Sequence, residues 1–492
     1  MHPTVEQLLT RPEGKTLEFK RDLSSPRNLL KTLVAFANTA GGCLLVGVDD
    51  SGQAQGVAQP LDDEERLANQ VADAIAPRLV PSIEHVTLEG KSLLLVEVFP
   101  SSLRPHYIKS EGREQGSYVR LGSSNRQAGP ELVAQLQRSA MGVVFDELPV
   151  SDLGVEDLDL EAARRWFAPR ALIEQELLSL RLLTREQGRL VPTKGAVLLF
   201  GKSRDAFFPD AWVQCGRFRG CDKSHIFDHT DIRTNLPDSV EQVTAFLKKH
   251  AYKSADLSDL QRKDVWSIPL LMLREAIVNA LVHADYSQAG SPVRVAFFDD
   301  RIEVESPGIL VPGMTIEDMK QGVSNLRNRV IARTFRELGL IEQWGSGVRR
   351  IFSEAESLGL PEPAIAELGM HLRLTIYLKQ PQVIPLPVLH DSSHFQPAPD
   401  ERLESRLESR LESKLAARIV LLLNEQLRGK SELAKSLGHQ TVSGELHKQV
   451  RRLLELGWIE MTLPDKPQSR LQKYRLTELA RQALASAALA KT

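Results

Sequence analysis

Cysteine is scarce, with 3 in 492 residues. So few cannot build a disulfide framework, and they suit a reducing compartment. Long apolar runs are missing as well. No stretch approaches the roughly 18–20 residues that span a bilayer. The opening MHPTVEQLLTRPEGKTLEFK is too charged for a signal peptide. The chain is therefore expected in the cytoplasm, with no membrane partner. Nor is there an excess of either charge: 62 basic and 64 acidic residues leave a net of −2, so attraction to nucleic acid would have to be local. A phosphate-binding P-loop is also lacking. The nearest segment, GAVLLFGKS, sets Gly195 one residue too far from Gly201 for G-x-x-x-x-G-K-[ST], and its interior reads as an apolar strand. That argues against a helicase motor.

A hydrophobic content of 42% and a charged content of 26% are those of a soluble globular protein, and the length allows three or four domains. Residues 1–140 read as mixed α/β: a charged strand (TLEFKRDL), an apolar helix (NLLKTLVAFANTA), a turn at Gly41–Gly42, and a buried strand (CLLVGV) ending at Asp49 and Asp50. Further strands follow at LLLVEVF and SYVRLGS. Residues 150–260 form a connecting α/β region with a helical start and a strand at GAVLLF. Residues 261–379 hold a long helix, a hairpin (VRVAFF-DD-RIEVES) turning at Asp299–Asp300, and Gly-rich segments with helices. Residues 380–414 combine a linker rich in proline (Pro381, Pro385, Pro387, Pro397, Pro399) with an RLES repeat. Residues 415–492 make a helical tail domain.

The segment SIPLLMLREAIVNALVHADYS carries the strongest chemical signal. Ser267 is the expected N-cap and Pro269 lies in the first turn. Glu275, Asn279 and His283 stand at i, i+4 and i+8, on one side of a helix. A carboxylate stacked on an amide suits a water-activating base beside a magnesium ligand; an amphipathic helix with a polar face is the plain alternative. Downstream come Ser306-Pro307-Gly308, then GVSNLRN with Arg327 and Asn328, then WGSGVRRI. There Gly345-Ser346-Gly347 precedes a helix and offers backbone N–H groups to a phosphate.

This order resembles the Bergerat-fold ATPases (gyrase B, histidine kinases, MutL), and more closely the ATP-binding domain of RecG-like bacterial transcriptional regulators. The family's helix motif E-A-x-x-N-A-x-x-H matches Glu275 to His283. The resemblance implies ATP as cofactor, Glu275 activating water and Asn279 holding Mg²⁺. It also implies a nucleotide site completed by His283, Ser306, Gly308, Arg327, Asn328, Gly345, Ser346 and Gly347. The chain departs from the pattern where most relatives place an adenine-reading Asp or an Asn-Pro-Gly: Ser306 carries no fixed charge.

Glu13, the phrase Leu17-Glu18-Phe19-Lys20, AFANTAGGCLLVGVDD and the later YVRLGSSNRQA together resemble the Schlafen/AlbA-type DNA-binding domain, over about residues 10–130. The family implies nucleic-acid binding, with Arg120 and Arg126 as candidate phosphate contacts. Some Schlafen relatives are metal-dependent RNases with three carboxylates. The matching residues are Glu13, Glu18 and Asp49 or Asp50. Glu18 and Lys20 share one face of a strand, which suits that chemistry but also an ordinary ion pair.

Cys215, Cys221, His225 and His229 are spaced C-x5-C-x3-H-x3-H, wider than structural zinc sites prefer. In the repeat, Arg402, Arg406 and Arg410 form one like-charged helical row and Glu404, Glu408 and Glu412 another. The segment is either a loose linker or pairs with a second copy, predicting a homo-oligomer. Residues 415–492 hold 13 basic and 7 acidic residues, a net of +6. Their order of helix, helix, helix, strand, turn, strand is a winged-helix pattern and resembles the tail of the same regulators. Gln440, Thr441, Ser443, His447 and Lys448 line its candidate recognition helix, with Lys466, Arg470 and Lys473 on the wing.

The expected fold class is α/β and α+β multidomain: a Schlafen/AlbA-like α/β domain, a Bergerat-fold α/β sandwich and a C-terminal winged helix. The expected function is an ATP-gated regulator that binds DNA or RNA. The alternative is a Schlafen-like divalent-metal endonuclease controlled by ATP and serving in phage defence. A scaffold for other proteins is the third reading.

Overall fold

The computed structural model describes residues 4–170, 172–256, 263–341, 347–379, 411, 413–425, 428–437, 444–462, 472–477, 479–481 and 484. They fall into two compact units, Met1–Pro385 and Leu386–Thr492, divided within the proline-rich stretch. The RLES repeat lies outside the described residues except for Leu411, Ser413 and Lys414. Among the described residues no helix is long and apolar enough to cross a membrane.

The first unit opens with a four-stranded sheet of β1 (Leu17–Lys20), β2 (Gly42–Val46), β3 (Ser82–Leu88) and β4 (Lys91–Val98), in the order β1-β2-β4-β3. β1 and β2 are parallel, so the chain must cross over between them, and α1 (Pro26–Asn38) provides the crossover. Pro26 suits the first turn because its missing N–H would have had no helical partner. Leu29, Leu33, Val34 and Phe36 of α1 bury against Leu44, Val46, Leu94 and Val96 of the sheet. At the last turn the buried Asn38 donates through Nδ2 to the His106 and Tyr118 carbonyls, both at 2.9 Å. It thereby ties the hairpin β5 (Tyr118–Leu121) and β6 (Ser124–Gln127) to the helix. Asn38 of the stretch AFANTAGG thus has a structural task.

GAVLLF is a helix, α2 (Lys194–Phe200), and not the strand expected from its apolar run. A short, wholly buried segment has no exposed face to reveal its period. The deciding feature is Thr193, whose hydroxyl accepts from the Ala196 N–H at 3.2 Å as an N-cap.

The second large sheet has six strands: β7 (Val213–Phe218), β8 (Ile226–Ile232), β9 (Val293–Phe297), β10 (Arg301–Pro307), β11 (Ala364–Leu368) and β12 (His371–Tyr377). Their order is β8-β7-β9-β10-β12-β11, with β7 and β9 parallel and the other neighbours antiparallel. The hairpin of β9 and β10 turns at Asp299–Asp300 as its sequence predicts, with Phe297 opposite Ile302. Helix α3 (Leu270–His283) packs Leu273, Ala276, Ile277 and Leu281 into the same core as Val295, Phe297, Ile302 and Val304. It begins after Pro269, not at Ser267. The Ser267 hydroxyl instead accepts from the Tyr252 N–H at 2.8 Å. Helix α4 (Arg329–Glu337) starts on the buried carboxylate of Asp146, which accepts from the Arg329, Val330 and Ile331 N–H groups at 3.0, 2.7 and 3.0 Å. Helix α5 (Gly347–Ser357) closes this part.

The second unit contains α6 (Lys414–Glu425), α7 (Lys430–Ser436) and α8 (Gly444–Glu455). The antiparallel pair β13 (Ile459–Met461) and β14 (Tyr474–Leu476) follows. Ile419, Val420, Leu433, Leu446, Val450, Trp458 and Tyr474 form a core of its own.

Candidate nucleotide pocket and nucleic-acid groove

A cavity of about 330 Å³ opens beside α3. Glu275, Asn279 and His283 line it from the helix, Ser306 and Gly308 from the end of β10, and Gly347 from the start of α5. The helical row read from the sequence is therefore one wall of a real cavity. Asn279 Nδ2 donates to Glu275 Oε1 at 3.3 Å. A Cβ at Gly347 would meet the Glu275 carboxylate, so a larger residue at the start of α5 would have to turn that side chain aside. At Gly308, with φ of 104°, a Cβ would stand 2.9 Å from Asp285 Cβ and 3.1 Å from Arg327 Cζ. His283 is desolvated, and with Arg327 nearby its pKa is pushed down to about 4, so the imidazole is neutral at pH 7.

Arg327 is buried and lines the cavity; its Nη2 donates to the Ile309 carbonyl and its Nη1 lies 3.6 Å from Asp285 Oδ2. Burial lowers its pKa, which Asp285 opposes. Asn328 is not among the cavity's lining residues. Its Nδ2 donates to the Val282 and Ala284 carbonyls at 2.8 and 2.7 Å, holding the C-terminal end of α3. Gly345 and Ser346 lie outside the described residues. The apolar wall supplied by Ile309, Leu310 and Met314 escaped sequence reading because these residues belong to no periodic pattern; Leu374 joins it from β12, where it alternates with Leu372 and Ile376.

In the N-terminal domain a polar groove of about 520 Å³ is lined by Glu18, Lys20, Asn28, Lys31, Thr32, Ser124, Asn125 and Arg126. It gathers Glu18, Lys20 and Arg126 from the expected set. Lys31 and Asn28 were missed, although their i, i+3 spacing on α1 places them on one face. Arg120 is fully buried and does not line the groove. Its guanidinium donates to Glu18 Oε2, to the Gly14 carbonyl at 3.0 Å and to Asn125 Oδ1 at 2.9 Å. With its donors so engaged it is a buried anchor and not a phosphate contact.

The candidate nuclease carboxylates are engaged separately. Glu13 Oε1 accepts from the Phe19 N–H at 2.8 Å. Glu18 pairs with Lys20 and Arg120. Asp49 accepts from Ser51, Gln53 and Gln55 in its own turn, which holds its pKa down at about 2. Asp50 is exposed. Among the described residues no three His, Cys, Asp or Glu side chains gather around a metal position. That includes the zinc candidates: Cys215 is buried in β7 and Cys221 is exposed.

In the tail, His447 and Lys448 are exposed on α8, and Lys430 Nζ lies 3.3 Å from His447 Nδ1. Lys473 pairs with Glu432 at 3.3 Å. Gln440, Thr441, Ser443, Lys466 and Arg470 lie outside the described residues.

Residues 290–376 match the family model described as "Putative ATP-dependent DNA helicase recG C-terminal", and residues 13–129 match "Schlafen, AlbA_2". Residues 416–477 match "Filamentation induced by cAMP protein Fic-like, C-terminal domain". Among solved structures, the DIP2311 protein of Corynebacterium diphtheriae is similar at 22% identity, over 98% of this chain and 97% of its own, with a TM-score of 0.41. The N-terminal domain of a RecG-related protein from Nitrosomonas europaea is 30% identical, covering 26% of this chain and 94% of its own, with a TM-score of 0.22. The chain thus combines a segment that matches the Schlafen/AlbA_2 model, at residues 13–129, with one that matches the RecG C-terminal HATPase model, at residues 290–376.

Proposed function

We propose that this protein is an ATP-gated regulator that binds nucleic acid in the groove at Lys20, Lys31 and Arg126. The observation that carries the nucleotide half is the convergence of Glu275, Asn279 and the glycine start of α5 on one cavity. The residues fit a magnesium nucleotide. Mg²⁺ takes one or two protein oxygens and completes its shell with phosphate and water. Here Asn279 would hold the ion, and Glu275, 3.3 Å from the amide, would orient a water. The N-terminal half of α5 offers N–H groups to phosphate oxygens. Ser306 would meet the base as a neutral hydrogen-bonding group.

The groove supports the other half. Pairing of Glu18 with Arg120 and Lys20 offsets its charge, and Lys31 and Arg126 add positive charge to the walls. The separate engagement of Glu13, Glu18 and Asp49 favours binding over the endonuclease reading. The tail adds a second contact if α8 enters a major groove as the recognition helix of a winged helix, with His447 and Lys448 foremost.

Calorimetry with ATP and with a non-hydrolysable analogue, each with Mg²⁺, tests the nucleotide half. The wild type is expected to bind, and Asn279→Ala at least about tenfold more weakly, roughly 1.4 kcal/mol. Equal heats from the two proteins, or none from the wild type, would refute the reading.

A further inference from the structure

The wall of the nucleotide cavity is also a seam with the N-terminal domain. Residues 308–313 form part of that wall through Ile309, Leu310 and Val311. Glycines with positive φ stand at both ends, Gly308 at 104° and Gly313 at 86°. The Gly313 N–H donates to the Thr39 carbonyl at the end of α1, at 2.9 Å. Ile309 is buried in one cluster with Val119, Leu132, Val133 and Leu136 of the N-terminal domain.

A polar chain starts from the same wall. The Leu310 N–H donates to Glu367 Oε1 at 2.8 Å. Glu367 also takes Lys15 Nζ, at 2.6 and 2.8 Å to its two oxygens, with side chains only 13% and 5% exposed for Lys15 and Glu367. Burial lowers the Lys15 pKa, and Glu367 opposes the shift. The next residue back, Gly14, accepts from Arg120 Nε at 3.0 Å, and Arg120 in turn holds Glu18 and Asn125 in the groove.

We infer that the buried Lys15–Glu367 bridge is a positioning device that couples nucleotide in the cavity to nucleic acid in the groove. The inference rests on the nucleotide reading above and adds how one site regulates the other. A ligand that displaces the Ile309–Leu310 wall must move or break the Leu310–Glu367–Lys15 contacts, because packed interfaces rearrange between discrete states and do not stretch. The flanking glycines absorb the backbone change. Neither Lys15 nor Glu367 lines the cavity or the groove, so their role is separable from binding.

The test uses the full chain, a labelled single-stranded DNA 20-mer, and AMP-PNP with Mg²⁺. Anisotropy gives the DNA affinity with and without AMP-PNP, and calorimetry gives AMP-PNP binding. In the wild type AMP-PNP is expected to change DNA affinity by about tenfold, a usual size for such coupling. Lys15→Met and Glu367→Gln should each reduce that factor below about twofold while each ligand alone still binds, and Lys15→Arg should keep it. Wild-type coupling in both Lys15→Met and Glu367→Gln overturns the inference, as does a wild type that binds both ligands independently. A wild type that takes up no AMP-PNP overturns the nucleotide reading, and this inference with it. Should Lys15→Met fail to fold, Glu367→Gln reads the same coupling, since glutamine keeps an acceptor for the Leu310 N–H.

Discussion

A guanidinium as buried as that of Arg120 is tolerable only because Glu18, two backbone carbonyls and Asn125 surround it. Its face also lies over Phe36, 5.4 Å from the ring centroid. Arg120→Ala would leave Glu18 buried with Lys20 alone, and its expected cost is about 3–5 kcal/mol in urea unfolding. A loss below about 1 kcal/mol would contradict the anchoring role. His283 makes a pH prediction. Its folded pKa of about 4 lies below the ordinary 6.5, so protons bind the unfolded chain more tightly. The neutral imidazole's contribution is intact above pH 6.5 and is lost as pH falls from 6.5 towards 4, by up to about 3 kcal/mol. Wild type should therefore lose more thermal stability than His283→Gln across that window. Parallel curves would rule the effect out.

Two helices around the cavity are held by side chains remote in sequence. Asn328 satisfies the Val282 and Ala284 carbonyls around the end of α3, groups that a helix terminus otherwise leaves unpaired. Asp146 does the converse for α4, accepting three N–H groups at its start. Burial raises the Asp146 pKa to about 7 despite those donors, so the carboxylate is in a costly position that the helix start partly offsets. Asp146→Ala would leave buried N–H groups without acceptors, and an expected loss of about 2 kcal/mol follows. Chemical denaturation at pH 7 checks it; an unchanged midpoint would mean that water replaces the carboxylate.

Across the whole chain, charge is distributed and not accumulated. The net of −2 hides a groove with Lys20, Lys31 and Arg126 and a tail of net +6. Nucleic-acid binding should accordingly depend on salt through these local cations. For single strands each phosphate contact contributes about 0.7 to the slope of log affinity against log salt. Removing two with Lys31→Ala and Arg126→Ala is expected to flatten that slope by about 1.4. A lower affinity with an unchanged slope would place the phosphate contacts elsewhere.

The row of Glu275, Asn279 and His283 was legible in the one-dimensional chain because helical period is a local property, and three side chains at i, i+4 and i+8 share a face wherever the helix sits. The β9–β10 hairpin was legible for the same reason, from alternation around two aspartates. Long-range packing governed the rest. GAVLLF became a helix because burial on all sides erased its period and Thr193 set its start. Arg120 turned inward to Glu18, Asn328 moved from the nucleotide to the end of α3, and Lys15 met Glu367 across 352 positions. Such partners are chosen by the cost of burying a charge or an unpaired amide, and that cost exists only once the chain has closed around them.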